Sequence, residues 1–194
     1  MKKATNIVLA SSSNPRLNLL KQIKINPRFV FKPEIDENSF DYLSFDKRVK
    51  KISYQKALKA KKKFKDSYII AADTIIFRGK KNYKKTSSIK NVQIYLEELS
   101  GKKHYVYGGI CVFAPDGKVS IKLVRTIVYF KKLSKEELND KNLLKDGLNK
   151  AGGYAIQSHG STIVSKLKGS YSNVVGLSLY DLILTLKGLG WHRT

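Results

Sequence analysis

The sequence predicts an α/β protein built on a mixed twisted sheet flanked by helices. Apolar runs of strand length alternate with stretches of helical spacing through the first half of the chain. Two longer runs then bracket a Pro115-Asp116-Gly117 turn, as antiparallel neighbours do. Hydrophobic residues make up 42% of the 194, which excludes a wholly disordered chain.

Asn6 to Ala10 reads as a short buried strand. Ser11-Ser12-Ser13-Asn14 then supplies capping side chains ahead of Pro15 at a first helical position, and Leu17, Leu20 and Ile23 recur at helical spacing. Phe29 to Phe31 predicts a second strand, ended by Pro33 and the acidic turn Glu34-Ile35-Asp36-Glu37. A Lys-rich helix is expected from Phe45 to Phe64, with Val49, Ile52, Ala57 and Ala60 as a loose apolar face. Tyr68 to Ala72 and Ile75 to Phe77 give one strand signal interrupted by Asp73-Thr74. Gly79 to Lys85 reads as a basic loop and Ile89 to Leu99 as a helix, with Val92, Leu96 and Leu99 on one side. Tyr105 to Ala114 and Val119 to Phe130 are the paired strands, and Ser134-Lys135-Glu136-Glu137 resembles a capping start. Ile163-Val164 is strand-like, Gly169 to Asn173 a turn, and Leu179, Leu182, Ile183 and Leu186 mark a last helix that stops near Gly188.

The length suits a single domain over residues 1–194, with two lobes, since domains commonly use ~100–200 residues. No stretch approaches the ~20 apolar residues of a membrane-spanning helix. After Met1-Lys2-Lys3 the apolar stretch Ile7 to Ala10 is shorter than the roughly 7–15 residues of a secretory signal. The lone Cys111 excludes an intrachain disulfide and reads as core. A soluble protein of the reducing cytoplasm, with no membrane partner, is expected.

Lys and Arg total 38 against 15 Asp and Glu, a net charge of +23. Such a surface raises the possibility of nucleic acid, and Lys56, Lys59, Lys61, Lys62, Lys63 and Lys65 form the densest run. Nearly all the cations are Lys, however, whereas bidentate readers of bases and phosphates tend to be Arg. No zinc-finger spacing, heptad array or arginine-rich tail accompanies them. A solvated Lys surface is therefore favoured over a nucleic-acid site, although its field would draw in a polyanionic substrate.

Three places could carry chemistry. Ser11 to Arg16 opens a helix whose free N–H groups, serine hydroxyls and guanidinium suit an anion, although an ordinary capped helix would look the same. Asp73 lies within an apolar strand and needs a cation, a metal or hydrogen-bond donors to offset its desolvation. Glu34 to Glu37 concentrates oxygen ligands of the kind Mg²⁺ or Mn²⁺ takes, although an exposed acidic turn is the more ordinary reading. His104, His159 and His192 stand at no metal-ligand spacing.

Together these segments resemble the Maf family of nucleoside triphosphate pyrophosphatases. The resemblance runs through Leu9-Ala10-Ser11-Ser12-Ser13, Ile35-Asp36-Glu37, Lys56-Ala57, Ala72-Asp73-Thr74, Lys85, Leu99-Ser100-Gly101 with His104, Lys150-Ala151-Gly152 with Tyr154, Ile156-Gln157, and Asn173 to Leu177. Any one block is weak, but their joint order and spacing are specific. The resemblance implies a fold like that of the inosine triphosphate pyrophosphatases, two lobes with a cleft, and hydrolysis of NTP to NMP and pyrophosphate with a divalent metal cation. It implies Asp73 as proton acceptor or metal-linked carboxylate and Glu37 beside the metal. Arg16, Lys56 and Lys85 fall at its phosphate-facing positions, with Ser11, Ser12 and Ser13 in the phosphate loop. Thr74 and Gln157 fall at positions linked to substrate choice, in the branch that takes dTTP and UTP. A nucleoside triphosphate is the implied partner, and a homodimer is left open.

The chain departs from the family where Pro15 stands in place of an Arg tied to base selection. Gly108, Thr86, Ser158-His159 and Ser178 are lesser departures. The rival readings are a basic nucleic-acid-binding protein and an inactive Maf-like scaffold acting through a partner.

Overall fold

The computed structural model describes residues 6–192; Met1-Lys2-Lys3, read above for a leader, and Arg193 lie outside the described residues. In chain order the elements are β1 (Ile7–Ala10), α1 (Asn14–Gln22), β2 (Phe29–Phe31), α2 (Phe45–Lys63), β3 (Tyr68–Arg78), β4 (Lys81–Asn82) and α3 (Ile89–Leu99). They continue as β5 (Lys103–Phe113), β6 (Val119–Phe130), α4 (Lys135–Leu138), α5 (Lys141–Gly147), β7 (Val164–Lys168), α6 (Tyr171–Val175) and α7 (Leu179–Gly188).

The strands form one mixed sheet in the order β2-β1-β3-β5-β6-β7, with β4 paired to β3. β1 runs parallel to both neighbours, Val8 standing opposite Phe29 on β2 and Ile69 on β3. Parallel neighbours require crossovers, which α1 and α2 supply. Because both faces there are covered, β1 is buried throughout and β3 is buried from Tyr68 to Asp73, so each reads as a continuous apolar run. β4 and β7 pair antiparallel with β3 and β6. At the Pro115-Asp116-Gly117 turn the Ala114 carbonyl accepts from the Gly117 N–H and Gly117 takes φ +90°, a conformation glycine adopts without strain.

By compactness the chain divides into two units. The first comprises residues 1–73, 108–124 and 176–194, and the second residues 74–107 and 125–175. The first unit packs Val8, Ala10, Ile69, Ala71, Cys111 and Phe113 against Ala57 and Ala60 of α2. The small residues let the helix approach closely: a Cβ on Gly109 would lie 2.2 Å from the Val49 carbonyl oxygen. The second unit packs Val92, Leu96 and Leu99 of α3 with Val106, Val128 and Phe130 of the sheet and with Leu143 and Leu144 of α5.

Three expectations are corrected. β3 runs unbroken through Asp73-Thr74, because the Asp73 carboxylate is met by a cation and the strand has no need to turn out to water there. Gly169 to Asn173 is not a plain turn, since Tyr171 to Val175 forms α6. α5 is an additional helix, started by Asp140, whose carboxylate accepts from the N–H groups of Asn142 and Leu143. The expected start at Ser134 is present as a full capping box with Glu137.

Candidate active site

The first unit gathers most of the predicted residues. α1 begins with Pro15 in its first turn, as expected, but the Ser13 hydroxyl makes no capping bond. The serine that acts is Ser11: its buried hydroxyl oxygen accepts from the Ser13 N–H at 3.2 Å and from Arg16 Nη1 at 3.1 Å. Arg16 Nε donates to the Gly176 carbonyl at 2.8 Å. The guanidinium is thus aimed by the loop ahead of its own helix and by the backbone ahead of α7.

Asp73 Oδ1 accepts from Lys56 Nζ at 2.9 Å, and the same ammonium lies 2.7 Å from Glu37 Oε1. Lys56 and Asp73 are nearly enclosed, with 10% and 9% of their side chains exposed, whereas Glu37 is 48% exposed. One buried cation therefore joins a carboxylate rooted in the sheet to one that reaches solvent. Burial pulls the Arg16 guanidinium below the usual arginine range, and the charges of Asp73 and Glu37 pull it back up. Arg16 thus lies in the field of the Lys56 carboxylates.

The acidic segment is tied along α2. Lys59 donates to the Glu34 carbonyl, Lys56 pairs with Glu37, and Arg48 pairs with Asp41 while its Nη2 donates to the Glu37 carbonyl at 3.4 Å. Asp36 turns inward on its own loop, accepting from the Asn38 N–H, so it and Glu37 take different roles. Sequence reasoning missed Arg48, which is buried and whose Nε has no hydrogen-bond partner. The signal was available, because Arg48, Ile52 and Lys56 are spaced by four and share one face of α2.

Comparison with known proteins adds to this geometry. Residues 6–189 match the Maf family, described as Maf-like protein. A dTTP/UTP pyrophosphatase of Chelativorans sp. is 40% identical, over 98% of this chain and 94% of its own. The chain belongs to the Maf family. The dTTP/UTP pyrophosphatase of Agrobacterium fabrum is 38% identical, over 97% of this chain and 94% of its own. A nucleoside triphosphate pyrophosphatase of Rickettsia canadensis is 39% identical, over 95% and 94%. Among solved structures, the Staphylococcus aureus Ham1 protein aligns with a TM-score of 0.46 and 16% identity, covering 70% of this chain and 90% of that one.

The remaining predicted residues of this Maf chain divide between the units. Ser12 is exposed and Ser13 half-buried at the start of α1. Thr74 follows Asp73 in β3 but falls in the second unit, where it is half-buried, and Lys85 and Gln157 are exposed there. The lysine run does not form a continuous cationic face. Lys56 is committed to carboxylates, Lys59 to the Glu34 carbonyl and Lys61 to the carbonyls of Ala114, Pro115 and Lys65. Cys111 is buried core, its thiol pushed up to about 12 by desolvation. His104 is also buried, its Nε2 lying 2.8 Å from the Tyr154 hydroxyl.

The oxygen donors of Asp73 and Glu37 are of the type a hard divalent cation takes. Asp73 and Glu37 meet at a common point, but among the described residues no group of three His, Cys, Asp or Glu side chains forms a ligand cluster. Mg²⁺ is commonly held by one or two carboxylates, with waters and substrate phosphates completing its shell, and this pair fits that pattern. No helix among the described residues is long and apolar enough to cross a membrane.

Proposed function

We propose that this chain is a nucleoside triphosphate pyrophosphatase that hydrolyses NTP to NMP and pyrophosphate, favours dTTP, UTP or modified pyrimidine nucleotides, and so clears nucleotide pools in the cytoplasm. The observation that carries the reading is the buried Lys56 ammonium shared by Asp73 and Glu37, with the Arg16 guanidinium in their field. Relatives spanning nearly the full chain and named as pyrophosphatases support it.

Hydrolysis at the α-phosphorus needs an attacking water, a place for its proton and neutralisation of the departing pyrophosphate. Asp73 receives the proton as the water oxygen bonds to the α-phosphorus and the bond from that phosphorus to the bridging oxygen breaks. Lys56, whose bond occupies one oxygen of Asp73, holds that carboxylate in place before substrate arrives. Arg16, already fixed by Ser11 and Gly176, neutralises phosphate oxygens without having to be ordered at the moment of reaction. Ser11, Ser12 and Ser13 place donors at the same helix start. Glu37 and Asp73 would hold the divalent cation, Mg²⁺ or Mn²⁺, which when bound supplies charge neutralisation across phosphate oxygens. Lys85 as a phosphate contact, and Thr74 and Gln157 as determinants of base choice, rest on the family resemblance.

The test is pyrophosphate release from a panel of NTPs with Mg²⁺ or Mn²⁺. Release that is strongest with dTTP and UTP is expected. Equal release from every base would remove the pyrimidine preference, a result Pro15 makes worth watching for. No release from any substrate would overturn the activity in favour of the inactive-scaffold reading.

A further inference from the structure

At the free edge of the sheet, β2 presents Phe29 and Phe31 on one face, two residues apart. Phe64, just past the end of α2, stacks on Phe29 with centroids 5.2 Å apart and meets Phe31 edge-on at 5.8 Å. Phe31 and Phe64 rest against the first unit's core, which holds the group in place, while Phe29 is 43% exposed. Cations lie over these rings. Arg28 stands 5.6 Å from the Phe29 centroid, its Nη1 bonded to Asn6, and Lys63 stands 5.8 Å from both the Phe31 and the Phe64 centroids. Lys32, Lys62 and Lys65 are exposed beside them in sequence. Among the described residues no carboxylate forms an ion pair with these cations.

We propose that this edge binds single-stranded nucleic acid, with unpaired bases stacking on Phe29 and the Arg28 guanidinium and with phosphates meeting Lys32, Lys62, Lys63 and Lys65. The charge counts of the sequence weighed against a dedicated site because Lys alone reads little. The structure supplies what the composition could not, a supported aromatic stack with cations at its margin, which is the combination that binds single strands without sequence readout. A second copy of the chain is a poor occupant, since it would bring the same +23 charge. An acidic peptide would satisfy the cations but leave the stack unused.

The test is anisotropy of a labelled uridine dodecamer, with a thymidine dodecamer, a duplex of equal length and polyglutamate as further arms. Either single strand should bind more tightly than duplex or polyglutamate, and binding should weaken as salt rises. Phe29→Ser, at a position 43% exposed and with folding checked by its melting temperature, should weaken single-strand binding roughly 5- to 100-fold. Lys122→Gln, an exposed charge loss away from the edge, should stay within about twofold. If duplex or polyglutamate binds as tightly as the single strands, or if Phe29→Ser and Lys122→Gln behave alike, the proposal fails. None of these outcomes bears on NTP hydrolysis.

Discussion

In the first unit the buried polar side chains include Arg16, Arg48, Lys56 and Asp73, all carrying charge; in the second they are His104, Thr126 and Asn173, all neutral. The second unit treats its buried polar atoms as structure. Asn173 donates to the Val106 carbonyl and to Thr126 Oγ1, tying α6 to β5 and β6, and burial holds the His104 ring neutral down to about pH 3. The first unit instead keeps buried charges that are expensive unless paired, and pairs them with one another. A buried ion pair is often no more stabilising than apolar residues of similar volume, so stability alone does not account for these charges. Substitutions in the two units should accordingly fail in different ways.

The sharpest contrast is Asp73→Asn. It should lower pyrophosphate release by about 10³-fold while the protein still folds, measured as kcat beside the circular dichroism spectrum. Retained turnover would remove Asp73 from the chemistry and blur the distinction between the units. Lys56→Met should cost both activity and about 3 kcal/mol of stability in urea unfolding, because Asp73 is left charged and enclosed. Adding Asp73→Asn to Lys56→Met should recover part of that stability and none of the activity. No recovery would mean that the loss at Lys56 comes from packing.

At the buried polar side chains of the second unit, His104 and Asn173, the effects should be on stability alone. The His104 ring protonates near pH 6.5 when unfolded but only near 3 when folded, so the unfolded chain binds an extra proton between those values. Stability should therefore be complete above pH 6.5 and fall by about 2 kcal/mol between pH 7 and 5. His104→Leu, which removes the titrating ring, should flatten that part of the pH profile in urea unfolding. Asn173→Ala should cost about 1–2 kcal/mol by leaving the Val106 carbonyl and the Thr126 hydroxyl short of a donor. Its turnover below the melting temperature should stay within a few-fold, and a selective loss of kcat would tie Asn173 to the reaction.

Much of this was legible beforehand because it follows local rules. The helical period over Ile89 to Leu99, the capping residues at Ser134 and the apolar run through Ala72 each propagate from one residue to the next, and α3, the capping box and the first part of β3, up to Ala72, lie where these rules put them. The need of Asp73 for a cation was also readable, since a carboxylate in an apolar strand is costly in any fold. The short helices α5 and α6 were not, because a few residues carry too little periodicity to separate helix from turn. The helix cap expected of the serines is not made by Ser13, while Ser11 accepts from both the Ser13 N–H and Arg16, and the Gly176 carbonyl that receives Arg16 Nε is 160 residues away in sequence.

The sequence by itself determined the order of the elements, the family and the residue types at the site, because spacing and chemistry are properties of neighbours along the chain. Which cation meets Asp73 was decided by tertiary structure alone. The parallel crossover from β2 through α2 to β3 brings Lys56 to a residue seventeen positions on, and the closely packed face of that helix buries Arg48 and Lys56 while Lys62 and Lys63 stay exposed. All are basic residues of one helix, and only packing separates the ones that hold carboxylates from the ones that meet water.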